Sequence, residues 1–340
     1  MKVAIGYNIQ NGPWGGGNAF AKSLSEFLTN KGHEVVYSLK DFDIDIILLT
    51  DPRGNSPQIP IDSGKIIRYI IFKNNKALIV HRINECDERK GTKRLNSLLK
   101  NANFFSDHTV FIASWLKNLN LWNQNNNYSV ILNGGNKKIF NTNKNKRWDK
   151  SKPIKLITHH WGGNELKGMD VYTKIDQVLD EPYWKNKINF TYVGNIPGNK
   201  IFKNIKHIKP TSGQELSDII SAHNIYITAS INEPGGMHHI EGGLCGLPIL
   251  FRESGSLPEY CKGYGVSFNN TNDLLNSLEE LINNYDYHYE QILKYNRTSD
   301  LMCKEYYELF NNLLKNKNKI LHRRDFYRNP WRLFRSQLLI

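Results

Sequence analysis

The stretch Ile225-Tyr226-Ile227-Thr228-Ala229-Ser230-Ile231-Asn232-Glu233-Pro234-Gly235-Gly236-Met237-His238-His239-Ile240-Glu241-Gly242-Gly243-Leu244-Cys245-Gly246-Leu247-Pro248-Ile249-Leu250-Phe251 decides how the rest of the chain is read. Residues 225–229 are β-branched or aromatic except for Ala229, the composition of a strand covered on both faces. Asn232-Glu233-Pro234-Gly235-Gly236 breaks that run with the residues of a sharp turn. Residues 237–245 have helical composition, Gly246-Leu247-Pro248 stops the helix, and residues 248–251 are strand-like again. Strand, helix and strand at this spacing form a βαβ unit, which implies a parallel sheet.

The same alternation runs outward in both directions. Further strands are expected at 3–7, 45–50, 77–83, 109–113 and 129–133, then at 155–159, 189–194, 205–209 and 265–268. Helical patterns at 19–30, 91–100 and 215–222 lie between them, and long amphipathic helices are expected over 274–287 and 301–314. Residues 141–153 interrupt the alternation with a polar run that reads as a linker. No repeat of 20–50 residues is present. At 340 residues the chain suits two domains. The expected fold is therefore α/β: two doubly wound, Rossmann-like domains facing across a cleft, over 1–145 and 152–315. Ligands of such sheets sit at the carboxyl ends of the strands.

Composition narrows the function classes. No apolar run approaches the roughly 18 residues of a membrane-spanning helix. Lys2 leads directly into a strand rather than a secretory signal. Cys86, Cys245, Cys261 and Cys303 are scattered, with no CxxC pair, so a reducing, cytoplasmic setting is expected. The net charge of +13 is uneven: residues 1–150 carry 22 Lys/Arg against 12 Asp/Glu, residues 151–314 carry 15 against 19, and residues 315–340 carry 8 against 1. Such a field favours phosphate-bearing partners, an anionic membrane surface or a charged acceptor among them, or serves solubility alone. No aromatic-basic nucleic-acid motif accompanies it, so nucleic acid is not an expected partner.

Candidate chemistry concentrates in the opening stretch. Gly235 and Gly236 leave the backbone bare for a ligand. The N–H groups of Gly236, Met237 and His238 at the helix start suit a diphosphate. Glu241, one turn in, can accept two vicinal hydroxyls of a ribose, and Glu233 can accept hydroxyls of a second ring. Base selection would fall to the loop near Lys209 and Pro210. The turn Gly12-Pro13-Trp14-Gly15-Gly16-Gly17-Asn18 follows the first strand and is neither G-x-G-x-x-G nor a P-loop; its Gly16 and Gly17 open a helix and could meet a phosphate. A dense polar run from His81 to Thr92 follows an apolar strand, where Asn84 and Asp87 could orient an acceptor and Glu88, Arg89 and Lys90 read as solvated. No metal is expected. Asp41-Phe42-Asp43 has no partner cluster, and His238 and His239, adjacent on a helix, do not face one ion together.

Glu233 and Glu241 within E-P-G-G-x-x-x-x-E-G-x-x-x-G-L-P resemble the donor motif of the family four retaining glycosyltransferases, which have the GT-B fold. The resemblance extends over nearly the whole chain. It includes the Trp14–Gly17 turn, Val80-His81, Asn133-Gly134-Gly135 with Phe140, Lys167-Gly168-Met169-Asp170, and Tyr192-Val193-Gly194. It implies a last helix that crosses back to the first domain, here 316–340. It also implies transfer of a hexose-type sugar from a UDP- or GDP-sugar to a glycan or lipid-linked acceptor with retention, without cofactor or metal. His81 would meet the transferred sugar, Lys167 the diphosphate, and Gly194 the nucleotide. One departure stands out: the family places an Arg about five residues before the Lys, and 159–164 here reads His-His-Trp-Gly-Gly-Asn. The second cation would come from elsewhere, Arg252 for example. Two other readings stay open: an epimerase or phosphorylase on the same fold, and a basic nucleic-acid- or membrane-binding module with a vestigial site.

Overall fold

Aliphatic and β-branched runs become strands where helices cover both of their faces. Ile46–Leu49 and Leu78–Ile83 have every residue buried, as central parallel strands must. The computed structural model describes residues 1–338 apart from 13, 55, 125, 126, 199 and 325, so Pro13 of the first glycine-rich turn lies outside the described residues. In chain order the strands are β1 (Lys2–Ile5), β2 (Glu34–Val36), β3 (Ile46–Leu49), β4 (Leu78–Ile83), β5 (His108–Phe111), β6 (Tyr128–Val130), β7 (Ile154–His160), β8 (Ile188–Gly194), β9 (Lys206–Ile208), β10 (Ile225–Thr228), β11 (Ile249–Arg252) and β12 (Gly265–Phe268). They form two six-stranded sheets, ordered β2-β1-β3-β4-β5-β6 and β12-β11-β10-β7-β8-β9. Every pairing is parallel. The edge strands β2, β6, β9 and β12 are the ones with incompletely buried residues throughout or in alternation.

The chain divides into two compact units. The first comprises Met1–Asn11, Gly16–Leu132 and Ser299–Ile340, and the second Gly12–Gly15 and Asn133–Thr298. This moves both expected boundaries. The return to the first unit begins at Ser299 rather than at 316. The reason is packing: the helix Ser299–Lys315 buries Met302, Cys303, Tyr306, Phe310 and Leu313 in one core with Val3, Ile5, Phe20, Leu24, Leu48 and Val80. Large apolar side chains of this kind contribute about 1.5–3 kcal/mol each when buried, so four of them rival a domain's entire net stability of about 5–15 kcal/mol. At the other boundary, residues 133–145 belong to the second unit. Asn133 donates to the Gly235 carbonyl at 2.6 Å. The α-carbon of Gly135 lies so close to the helix His238–Leu244 that a Cβ would stand 2.7 Å from Leu244 Cδ1. The region 274–287 is two helices, Leu274–Asn283 and Tyr285–Ile292, rather than one.

Chain order reverses direction between β1 and β3 in the first sheet, and between β7 and β10 in the second. The carboxyl ends of strands flanking such a reversal diverge into a crevice, the usual ligand position of doubly wound sheets.

Candidate active site

The loops leaving β7 and β10 are tied together where the second sheet reverses. The Ile231 N–H donates to the Leu166 carbonyl at 2.8 Å. Gly168 turns the chain with φ +94°, and a Cβ there would stand 2.4 Å from that of Ala229, so glycine alone fits behind Lys167. The result is a close ion pair: Lys167 Nζ lies 3.1 Å from Glu233 Oε2, with side-chain exposures of 14% and 7%. Across the turn, a Cβ on Gly236 would come within 2.5 Å of the His238 ring. The helix His238–Leu244 begins with Met237 at its N-cap and no side chain capping it, so its first N–H groups are not claimed by a cap.

Glu241 has a partner that sequence reasoning missed. His159 Nε2 stands 2.7 Å from Glu241 Oε2. His159 Nδ1 lies 3.0 Å from the Tyr226 hydroxyl, which also accepts the His159 backbone N–H at 3.1 Å. The two partners are far apart in sequence, and the only signal in the sequence was that His159 falls in the stretch lacking the expected Arg. Three more histidines crowd the same place. His238 and His160 have ring centroids 4.7 Å apart, and His238 and His239 4.9 Å. His238 Nε2 bonds Thr228 Oγ1 at 2.8 Å. Burial, then the neighbouring His160 and His239, holds the His238 pKa well below the usual range. Burial lowers His239 to about 3, and neither of its ring nitrogens has a hydrogen-bond partner among the described residues. Both rings are therefore neutral at physiological pH.

Beside this cluster is a cavity of about 360 Å³, lined by Gly194, Asn195, Phe202, His207, Lys209 and Pro210 among others. Gly194 has φ +135° and no room for a Cβ, which would lie 1.9 Å from the His160 carbonyl oxygen. Three of the expected nucleotide-side residues, Gly194, Lys209 and Pro210, thus share one cavity of small-ligand size. Asn195 also donates to the Trp161 carbonyl at 2.6 Å, and the half-exposed Trp161 and Trp14 rings are 6.5 Å apart.

Arg252, the residue suggested for the missing cation, pairs its guanidinium with Asp170, and its side chain is 6% exposed. Gly162 occupies the position expected for Arg, and a Cβ there would stand 3.9 Å from Lys167 Cε.

In the first unit, Gly16 and Gly17 begin the helix Gly16–Asn30, which carries no acidic residue in its first turn. The other expected residues of this unit are held by the fold. His81 is not at a strand end: β4 continues to Ile83, and His81 is fully buried within it. Its Nδ1 lies 3.4 Å from Asn103 Nδ2, its Nε2 has no partner among the described residues, and burial lowers its pKa to about 4. Arg82 stacks its guanidinium 3.9 Å over Phe20. Asn84, with its amide turned to suit both neighbours, donates to the Thr50 carbonyl at 3.0 Å and accepts from Arg82 Nη1 at 3.2 Å. Asp87 accepts the backbone N–H groups of Leu95 and Asn96, both at 2.9 Å. Burial opposes its ionisation, but these bonds and one from Thr92 outweigh burial and hold its carboxyl low. Its oxygens hold the loop. Among the described residues no three His, Cys, Asp or Glu converge as metal ligands, and no helix is long and apolar enough to cross a membrane.

Two six-stranded parallel sheets of this order, with the helices after Ser299 packed in the first unit, define the GT-B fold, and solved structures similar to this one include glycosyltransferases of that fold. One is sucrose-phosphate synthase from Thermosynechococcus elongatus, 13% identical, with a TM-score of 0.65 over 93% of this chain and 99% of that one. HepE of Anabaena, solved with UDP-glucose, is 12% identical, with a TM-score of 0.64 over 92% and 100%. WaaG, a glycosyltransferase of lipopolysaccharide biosynthesis, is 12% identical, with a TM-score of 0.60 over 91% and 99%. At these identities the likeness is one of fold. No protein-family profile and no curated protein sequence matches the chain.

Proposed function

We propose that the chain is a retaining glycosyltransferase that moves a hexose-type sugar from a UDP- or GDP-sugar to a hydroxyl of a glycan or lipid-linked acceptor. One observation carries the reading: two carboxylates, Glu233 and Glu241, stand with their cationic or N–H partners Lys167 and His159 at the reversal point of the second sheet. Glu241 takes the ribose and the cavity at Gly194, Lys209 and Pro210 takes the base. The diphosphate lies over the N–H groups of Gly236, Met237 and His238, with Gly235 leaving room, and reaches Lys167. Glu233 holds hydroxyls of the transferred sugar. That HepE was solved with UDP-glucose supports a nucleotide-sugar donor of this kind. Gly16 and Gly17 keep their expected role toward a phosphate.

In the reaction the bond from the anomeric carbon to the diphosphate oxygen breaks, and the acceptor oxygen bonds the same carbon on the same face. The acceptor's proton passes to the departing phosphate. The protein supplies placement and charge: Lys167 and the helix start meet the negative charge that grows on the leaving group, without a metal.

Nucleoside diphosphates should raise the melting temperature by several degrees at concentrations about a hundredfold above Kd. Incubation of the matching nucleotide-sugar with acceptor should give a product of unchanged anomeric configuration by NMR. No stabilisation by any of UDP, GDP, ADP, CDP or dTDP would reject the reading.

The expected contact with an anionic membrane draws support from the exposed Trp331 and Phe334 (79% and 49%) on the Lys/Arg-rich tail. It requires co-sedimentation with anionic vesicles that neutral vesicles do not match.

A further inference from the structure

We infer that His159 is the positioning residue that presents the Glu241 carboxylate to a ribose, so that ribose recognition runs through the chain Tyr226–His159–Glu241. This rests on the nucleotide-sugar reading of the same site. Proton bookkeeping fixes the direction of the chain. Tyr226 is fully buried, and burial followed by the field of Tyr172 keeps its hydroxyl protonated. Its oxygen already accepts the His159 backbone N–H at 3.1 Å, so its own O–H donates to His159 Nδ1 at 3.0 Å. Nδ1 is thus an acceptor, and Nε2 carries a proton and donates to Glu241 Oε2 at 2.7 Å, the length of a hydrogen bond to a charged group.

The consequence falls on the carboxylate. A glutamate side chain has three torsions, and a half-buried one is otherwise free to swing. Held at Oε2 by a ring that is itself held by Tyr226, the Glu241 side chain, 15% exposed, keeps Oε1 without a partner among the described residues and open to a diol. Oε2 retains lone-pair capacity for a second hydroxyl. His159, 10% exposed, acts on the ligand only through Glu241. It belongs to the 159–164 stretch that lacks the expected Arg.

The test measures Kd by calorimetry on the full chain for UDP, 2′-deoxy-UDP and 3′-deoxy-UDP, and for the same three forms of GDP. The proteins are wild type, His159→Phe and His159→Gln. Wild type should prefer the ribonucleotide by about tenfold or more, the scale of a hydrogen bond to a charged group. His159→Phe should weaken ribonucleotide binding about tenfold while changing deoxynucleotide binding less than about twofold, so that the preference collapses. His159→Gln, which keeps an N–H donor, should restore most of it. Equal weakening for ribo and deoxy forms would mark His159 as merely structural and overturn the inference. So would an unchanged preference in His159→Phe, or a wild type that binds UDP or GDP without preferring the ribose form. A wild type that binds neither nucleotide in any form overturns the nucleotide-sugar reading itself, and the inference with it.

Discussion

His81 on β4 and His159 on β7 both sit in fully parallel, doubly wound sheets, yet they differ in everything that matters for chemistry. His81 lies within its strand, two strands from the edge and away from the β1/β3 reversal; it is sealed in the core with one ring nitrogen unpartnered. His159 is the next-to-last residue of its strand, beside the β7/β10 reversal, and holds a carboxylate. Residue type is the same in both; depth along the strand and distance from the reversal separate them. His81 lies one residue further from the carboxyl end of its strand than His159 does, and the protein interior around it offers only desolvation.

The contrast can be broken by substitution. The largest effect is expected at the second reversal: Lys167→Ala or Glu241→Ala should lower turnover at least about a thousandfold, the size of losing electrostatic transition-state stabilisation or donor placement, with melting temperature little changed. Near-normal turnover in either variant would remove the donor assignment.

Next in size is acid sensitivity. Burial lowers His81, His108 and His223 to about 4 and His239 to about 3, and holds His238 well below its usual value. Unfolded histidines take up a proton near 6.5. The folded state binds fewer protons than the unfolded state between about 6.5 and 4, so stability is full above that window and falls as pH drops through it. Each such histidine contributes up to roughly 1.4 kcal/mol per pH unit. Urea midpoints should therefore fall steeply from pH 7 to pH 5, and a flat profile would contradict the burial assigned to these rings.

The smallest effect is the most discriminating. His81→Leu fills the same interior space and removes the unpartnered nitrogen, so turnover should stay within about twofold and stability within about 1 kcal/mol. A collapse of turnover with the fold intact would return His81 to the active site.

How far the sequence reached follows the same physics. Strongly apolar β-branched runs such as residues 46–49 and 225–228 were legible because both faces are buried and nothing competes with that signal. The strand Glu34–Val36 was not, being three residues long, at an edge and half exposed. Nor was the helix Ser63–Phe72, whose paired isoleucines at 66–67 and 70–71 imitate a strand while Asp62 caps it through the Lys65 N–H. Glu233, Gly235, Gly236 and Glu241 were legible because turn, helix start and carboxylates lie within one local unit. The burial of His81 was not legible, because it begins a polar run; the stacking of Arg82 on Phe20 that holds the next residue inside is set by the fold. His159 was missed for the converse reason: its partners Tyr226 and Glu241 come from other elements, and no local pattern announces them.

The placement of Ser299–Lys315 has a consequence for the order of events during synthesis. The first unit starts to leave the ribosome before the second and is complete only after it, because Met302, Tyr306 and Phe310 fill the same core as Val3 and Phe20. All of the second unit except the short Gly12–Gly15 segment is continuous in the chain, from Asn133 to Thr298, and is fully synthesised before that core can close. Until then the apolar faces of β1, β3, β4 and the Gly16–Asn30 helix wait uncovered. The vulnerable species of this protein is thus the nascent chain just short of the Ser299–Lys315 helix, with the second unit already whole and the first still an open sheet.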